Sequence, residues 1–227
     1  MWLEYVRSAL RTMAADRFFA FVNLLGLSIG LASVVAISLH VRNELSFDAW
    51  IPRAETLFRI DTVEAIPGRE PIEIAHAPGP LRDALRRDFP QVAAVTRAFA
   101  TSANVRRGGQ VFGEDLIVAD PDFFPVLGLP FVAGTPARAL ADPASVVLSE
   151  RAALKYFGRR DAVGGRLTLS VPEPREFAVS AVFRTIPQAS HMDFDIVIPF
   201  AAYFRPSSDG SMTIPENWGG AYFHTYA

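Results

Sequence analysis

Cysteine is missing from all 227 residues. Its absence rules out disulfides, thiol catalysis and cysteine-based zinc sites. It leaves the compartment open, because a well-cored domain in an oxidising space needs no bridge. Lysine is nearly missing too, with Lys155 standing alone. No GxxxxGK[ST] occurs, so the glycine-rich turn that cradles nucleotide phosphates is lacking and the chain cannot be an ATPase. Nor is there a surplus of positive charge. The net charge is −2, and no basic field exists to attract nucleic acid. The pairs Arg86-Arg87, Arg106-Arg107 and Arg159-Arg160 are scattered and read as solvated surface. Internal repeats and low-complexity tracts are also missing.

The most informative gap is one of charge. From Phe18 to Leu39 the sequence runs for twenty-two residues without Asp, Glu, Lys or Arg. As a helix this segment is roughly 33 Å long, enough to cross a hydrocarbon core of about 30 Å. Its mildly polar members Asn23, Gly26, Gly30 and Ser33 fall on one stripe at helical spacing, with Gly26 and Gly30 forming a GxxxG pair. Such a small-residue face is expected of a membrane helix packing on another helix. The run is longer than the apolar part of a signal peptide, about 7–15 residues, and Ala36-Ile37-Ser38 is a poor cleavage site. Gly26-Leu27-Ser28-Ile29-Gly30 also matches the GxSxG nucleophile elbow. An elbow needs a strand, a strained turn and a helix, and this match lies inside one apolar helical run.

Residues 1–17 precede the span as an amphipathic helix. Trp2, Leu3, Val6, Ala9, Leu10 and Met13 lie along one arc, with Glu4, Arg7 and Arg11 opposite. Such a helix is expected to lie in the membrane interface. Arg7, Arg11 and Arg17 precede the span, whereas Arg42 and Arg53 beyond it are interleaved with Glu44, Asp48 and Glu55. This bias places the N-terminus in the cytoplasm and residues 41–227 outside.

Past the span, strands outnumber helices. Leu57–Val63 reads as a strand. Pro80 opens a helix lined by Leu81, Leu85 and Phe89 and stopped by Pro90. Val92–Phe99 and Val111–Val118 are strands, and Asp120-Pro121 is expected to cap a short helix with Phe123, Phe124 and Leu127 facing the core. Val146–Leu148 is a strand, followed by a helix that Ser149 caps and Gly158 ends. Gly164-Gly165 turns into Arg166–Ser170, Glu176–Phe183 returns, and Ile196–Phe200 is the last apolar strand before a Ser/Gly-rich stretch at 206–211. The fold class is α+β.

Several of these signals also occur together, in the same order, in a known family. Gly26-Leu27-Ser28-Ile29-Gly30-Leu31-Ala32, Glu44-Leu45-Ser46-Phe47-Asp48 and Leu57-Phe58-Arg59-Ile60 open the pattern. Ala77-Pro78-Gly79-Pro80-Leu81, Phe89-Pro90-Gln91-Val92, Ala119-Asp120-Pro121-Asp122-Phe123-Phe124 and Ser145-Val146-Val147-Leu148-Ser149-Glu150 follow. Lys155-Tyr156-Phe157-Gly158, Val163-Gly164-Gly165-Arg166-Leu167 and Ser190-His191-Met192-Asp193-Phe194-Asp195 complete it. The chain resembles ABC-transporter permeases of the MacB/FtsX type, with residues 18–40 as the first transmembrane helix and 41–227 as a MacB-like periplasmic core domain. The resemblance implies two subdomains, a split β-α-β part near residue 56 and a strand-rich inserted part. It implies further spans downstream, so the domain reads as C-terminally incomplete. It also implies a bacterial inner-membrane location, a separate cytoplasmic ABC ATPase, and a second permease copy or homologue. A periplasmic adaptor or substrate, and membrane lipids, complete the implied partners. Export or envelope mechanotransmission would be mechanical, without a cofactor or catalytic residues.

The rival reading is a membrane-anchored hydrolase or metal-dependent enzyme. His191, Asp193 and Asp195 alternate, so on a strand they would share a face, with His76 or His224 as a further ligand. Ser190, His76 and an Asp could supply a triad. The competing expectation is that Ser190-His191 ends a turn and the carboxylates pair locally. Trp50, Phe47 and Trp218 are expected to pack in the core or at its rim.

Overall fold

The computed structural model describes residues 2–46, 48, 50–52, 54–187, 190–204 and 213–227. Phe47 and the Ser/Gly-rich stretch at 206–211 lie outside the described residues. The chain divides into two compact units, Met1–Phe47 and Asp48–Ala227.

The first unit is two helices, α1 (Trp2–Ala15) and α2 (Arg17–Leu45). At 1.5 Å per residue α2 is about 44 Å long. Its most apolar stretch has a mean hydropathy of 2.2, and none of its side chains is buried. A helix this apolar with every face uncovered would leave its whole side-chain surface in water. The physical resolution is a lipid solvent. The polar group of Ser33 does not interrupt it, because its Oγ donates to the Ile29 carbonyl at 2.9 Å. The GxSxG match is fully helical and holds no elbow. The helix continues past His40 to Leu45, where Ser46 caps the last turn by donating its Oγ–H to the Asn43 carbonyl at 2.8 Å.

The second unit is α+β, as its sequence pattern indicates. Strand β1 (Arg59–Ile60) precedes a small antiparallel hairpin, β2 (Thr62–Glu64) with β3 (Ile72–Ile74), and helix α3 (Leu81–Asp88). A long hairpin follows, β4 (Thr96–Arg107) with β5 (Gln110–Ala119). Its two-residue turn is Gly108-Gly109, with φ of 55° and 82°. Two consecutive left-handed residues suit the twist of the flanking strands, and glycine adopts them without a Cβ clash. Then come α4 (Phe123–Leu127), β6 (Phe131–Ala133), β7 (Ser145–Ser149), α5 (Glu150–Phe157), β8 (Arg166–Ser170) and β9 (Pro174–Phe183). The chain closes with β10 (Ile196–Pro199), α6 (Phe200–Tyr203) and β11 (His224–Tyr226).

The ladders form a ring. β4 pairs with β5, β5 with β10, β10 with β7, β7 with β9, β9 with β8, and β8 returns to β4. Alternate residues of these six strands point inward: Ala103 and Val105, Leu116 and Val118, Val146 and Leu148, Leu167 and Leu169, Phe177 and Val179, Ile196 and Ile198. α5 adds Ala152, Ala153 and Tyr156 to this core. The opposite face of the same strands carries Ala119, Val147, Phe183 and Val197 under α4, whose Phe123, Phe124 and Leu127 are all buried. Each fully buried aliphatic or aromatic side chain contributes about 1.5–3 kcal/mol of burial free energy.

β4 belongs to both expected parts of the domain. Its first half pairs with β11, and through it with β1, while its second half pairs with β8. The split β-α-β part and the strand-rich part therefore share one sheet. Ser149 caps α5 as expected, its Oγ accepting from the Ala152 amide at 3.0 Å, and Gly158 ends it in the left-handed region.

Three details differ from the sequence reading. The strand anticipated at Val92–Phe99 begins only at Thr96, because residues 92–95 pass beneath α3 before the chain joins the sheet. Phe89 is 46 % exposed rather than lining the core. The strand expected over Ile196–Phe200 stops at Pro199, where Phe200 opens α6, whereas the strand-like run Ala221–Ala227 does supply β11 between β1 and β4.

Candidate functional site

The most connected polar group near the start of the outer unit is Asp48. It is the one described non-glycine residue with positive φ, at 58°. A backbone held there by an ordinary side chain costs about 1–3 kcal/mol and persists where the surroundings over-determine it. The surroundings are plain. Ser190 Oγ donates to Asp48 Oδ1 at 2.7 Å and the His191 amide donates to the same oxygen at 3.1 Å. His191 Nδ1 lies 2.6 Å from Oδ2. A carboxylate only accepts, so Nδ1 carries the proton. His191 Nε2 lies 3.3 Å from the Tyr226 hydroxyl, and the Met192 amide donates to Ser190 Oγ at 3.1 Å. Burial raises the Asp48 carboxyl, and the bonds from Ser190 and His191 outweigh it, holding the group below the ordinary carboxylate range. Burial pushes the Tyr226 phenol up to about 12.

A second cluster lies on the same loop. Arg151 Nε binds Asp195 Oδ2 at 2.7 Å and its Nη2 binds Asp193 Oδ1 at 3.1 Å. Ser149 Oγ donates to Asp195 Oδ1, so one hydroxyl both caps α5 and holds this carboxylate. The charge-assisted pairs fix the N-terminus of α5 against the segment leading into β10.

The third cluster is the most buried. Arg97 is 7 % exposed and Asp120 3 %. Arg97 Nε and Nη2 bind the two oxygens of Asp120 at 3.0 Å each, and Nη1 donates to the Gly79 carbonyl at 2.8 Å. The guanidinium also stacks 4.3 Å above the Phe200 ring. Arg82 on α3 reaches Asp120 at 3.1 Å and Asp122 at 3.0 Å. Asp120 was expected to cap α4. It instead neutralises a buried arginine, and Asp122 holds the cap position without a side-chain cap bond.

The residues proposed for enzymatic chemistry are thereby placed. Residues 190–195 are not a strand, so the alternation of His191, Asp193 and Asp195 gives no common face. His191 turns to Asp48, and the two acids turn to Arg151. Among the described residues no three His, Asp or Glu side chains could hold a metal ion. A serine-hydrolase relay needs histidine between serine and carboxylate. Here Asp48 stands between Ser190 and His191, and the other proposed base, His76, stacks on His224 with ring centroids 4.2 Å apart. Trp50 packs partly buried against the α4 side of the core, as expected. Trp218 does not, being 57 % exposed.

Three concavities stand out among the described residues, one of them about 330 Å³ and lined by Thr101, Ser102, Asp115 and Phe194, where Ser102 Oγ donates to Asp115 Oδ1 at 2.9 Å. A cleft of about 510 Å³ lies beside β1, lined by Leu57, Phe58, Val92, Pro125, Val126 and Ala227. A smaller one of about 170 Å³ lies under His191, between Ala98, Ile117, Phe123, His224 and Tyr226. None of the three is lined by a serine or threonine together with a histidine, the pairing that a hydrolase relay needs. Asn23, Gly26, Gly30 and Ser33 lie on α2, and a Cβ added at Gly26 or Gly30 would meet nothing within 4 Å. The signals that sequence reading missed are Arg97 and Asp48. An arginine inside the apolar run Val95–Ala100 is the one visible hint of the former.

A membrane-length helix followed by a strand-ring domain, whose polar clusters bind one segment of chain to another, defines a membrane-anchored structural domain. The chain belongs to the MacB-like periplasmic core domain family, whose model matches residues 20–221. Membership places it with the MacB/FtsX-type permeases, components of ABC transporters that work with a cytoplasmic ATPase. Its fold is similar to a permease-protein domain from Porphyromonas gingivalis, with TM-score 0.63 and 22% identity, covering 78% of this chain and 73% of that one. Weaker likenesses are to the periplasmic region of MacB from Actinobacillus actinomycetemcomitans (TM-score 0.40, 20% identity, covering 59% of this chain and 55% of that one). A third is to the extracellular domain of the noncanonic ABC-type transporter YknZ from Gram-positive bacteria (TM-score 0.47, 16% identity, 75% and 79%). No curated sequence is similar enough to the chain to match it.

Proposed function

We propose that the chain supplies the first span and the outer domain of an ABC-transporter permease. In this reading a separate cytoplasmic ATPase drives conformational change that the outer domain conveys, for export or for control of envelope partners. The N-terminus lies in the cytoplasm, α1 in the membrane interface, and residues 41–227 on the periplasmic side. A second permease copy or homologue packs on the stripe Asn23, Gly26, Gly30 and Ser33, and an adaptor or substrate meets the outer face. What carries the reading is one family match running from within the apolar helix through the outer domain. Polar clusters that tie strands and loops together, rather than converge on a cleft, support a mechanical role over a catalytic one.

The test is association and topology. The protein is expected to co-purify with an ABC ATPase in detergent. Alkaline phosphatase fused after residue 60 should be active and fused after residue 10 inactive. An inactive fusion after residue 60 would overturn the orientation, and failure to bind any ABC ATPase would overturn the permease role. Gly26→Leu should weaken self-association in a membrane two-hybrid assay while leaving the outer domain folded; unchanged association would remove the stripe from the interface.

A further inference from the structure

Asp48 lies three residues beyond Leu45, the last residue of α2. The next residues along the chain to join the sheet are those of β1, a strand of two residues at the sheet's edge. A pull on the chain at this point meets non-directional apolar contacts at Trp50, Ile51 and Leu57 and then β1, an edge strand that peels bond by bond. Asp48 offers two other routes. Through Ser190 and His191 it grips the loop that leads into β10, which is paired on both sides, by β5 and β7. Through the His191 ring it reaches Tyr226 of β11, which is also paired on both sides, by β1 and β4. The grip is dense for one side chain, with three donors on one carboxylate and the Ser190 hydroxyl itself fixed by the Met192 amide. It is strong enough to hold a non-glycine residue at φ 58°. Both ends of the contact fall in the sequence signals Glu44–Asp48 and Ser190–Asp195, which are otherwise unrelated in composition and lie far apart in the chain.

We propose that Asp48 is a positioning residue that passes displacement of the chain leaving α2 into the interior strand β10 and into β11, through Ser190, His191 and Tyr226. The proposal deepens the permease reading and rests on it. Without the carboxylate, movement of the chain at residue 46 reaches the domain only through the apolar contacts of Trp50, Ile51 and Leu57 and through the edge strand β1. With it, the same movement reaches the ring of strands.

The test is hydrogen exchange of the full chain in lipid nanodiscs with its ABC ATPase bound, with and without a non-hydrolysable ATP analogue. Asp48→Gly accepts the left-handed backbone and lacks the carboxylate, so the domain stays folded while the grip is lost. Asp48→Asn tolerates the same backbone and keeps one acceptor oxygen. In the unaltered protein, nucleotide is expected to change exchange several-fold at residues 190–198 and 224–227. Asp48→Gly should abolish that change with protection in β8 and β9 unaltered, and Asp48→Asn should restore part of it. A nucleotide response in Asp48→Gly equal to that of the unaltered protein overturns the relay and leaves the permease reading standing. A uniform loss of protection through every strand also overturns it, because Asp48 would then be a general stability contact. No nucleotide response anywhere in residues 48–227 of the unaltered protein sinks the permease reading itself, and the relay with it.

Discussion

Arg97 and Asp120 show what a single buried charge does to its neighbourhood. Each neutralises the other, and Arg97 Nη1 also donates to the Gly79 carbonyl. Asp120→Ala would leave a guanidinium uncompensated in the core, costing about 3–5 kcal/mol. Chemical denaturation of the variant should show this as a lower midpoint, and a loss under about 1 kcal/mol would mean that water reaches the guanidinium and relieves the charge. His224 makes a second case. Burial first, and its neighbour His76 next, hold its imidazole below the ordinary range. The unfolded chain therefore takes up this proton at higher pH than the folded one. The stability contribution is fully present above about pH 6.5 and is lost as pH falls toward the folded value. His224→Gln should shrink the fall in melting temperature between about pH 7.5 and about pH 5.5. An unchanged fall would assign the acid sensitivity to other groups. At this scale the sequence was legible where partners are close in the chain. Ser149 caps a helix three residues away, and Gly158 ends it. The Arg97–Asp120 pair, 23 residues apart, and the Asp48–His191 pair, 143 apart, depend on how strands are brought together, which no local pattern encodes.

At the scale of elements, periodicity served well because it reports burial. The two-residue alternation of β9 reads directly onto the two faces of the sheet, whereas β7, apolar from Val146 to Leu148, is buried on both. The uncharged run from Phe18 to Leu39 reads onto α2, although the helix continues to Leu45 through residues whose polarity had suggested an end. What alternation could not give is pairing order. β5 lies parallel to β10 and β7 parallel to β9, pairings that skip intervening elements. The inward positions are the sensitive ones. Leu148→Ala on β7 should cost about 2–5 kcal/mol, through lost burial and the cavity left behind. The outward-facing, exposed Val111→Ala on β5 should stay within about 0.5 kcal/mol. Equal losses at the two sites, measured by urea unfolding, would contradict the assignment of the ring's interior.

For the molecule as a whole, each compact unit has its own solvent logic. The first has no buried side chain in α2 and needs lipid; the second carries two apolar clusters of its own. Residues 48–227 produced alone are therefore expected to fold, with a cooperative thermal transition by circular dichroism. A non-cooperative transition would mean that the second unit depends on the first. The alternation of His191, Asp193 and Asp195 looked like a ligand set only while that stretch was read as a strand. The true arrangement needed a distant residue, Asp48, to become visible.

The closed circuit of six strands has a consequence for motion. A flat sheet has a seam at each side from which it can be unzipped, but a hoop has none. Tilting any one stave therefore tilts all six together. Each stave is held by hydrogen bonds on both of its sides, so unzipping has no free seam within the six from which to start.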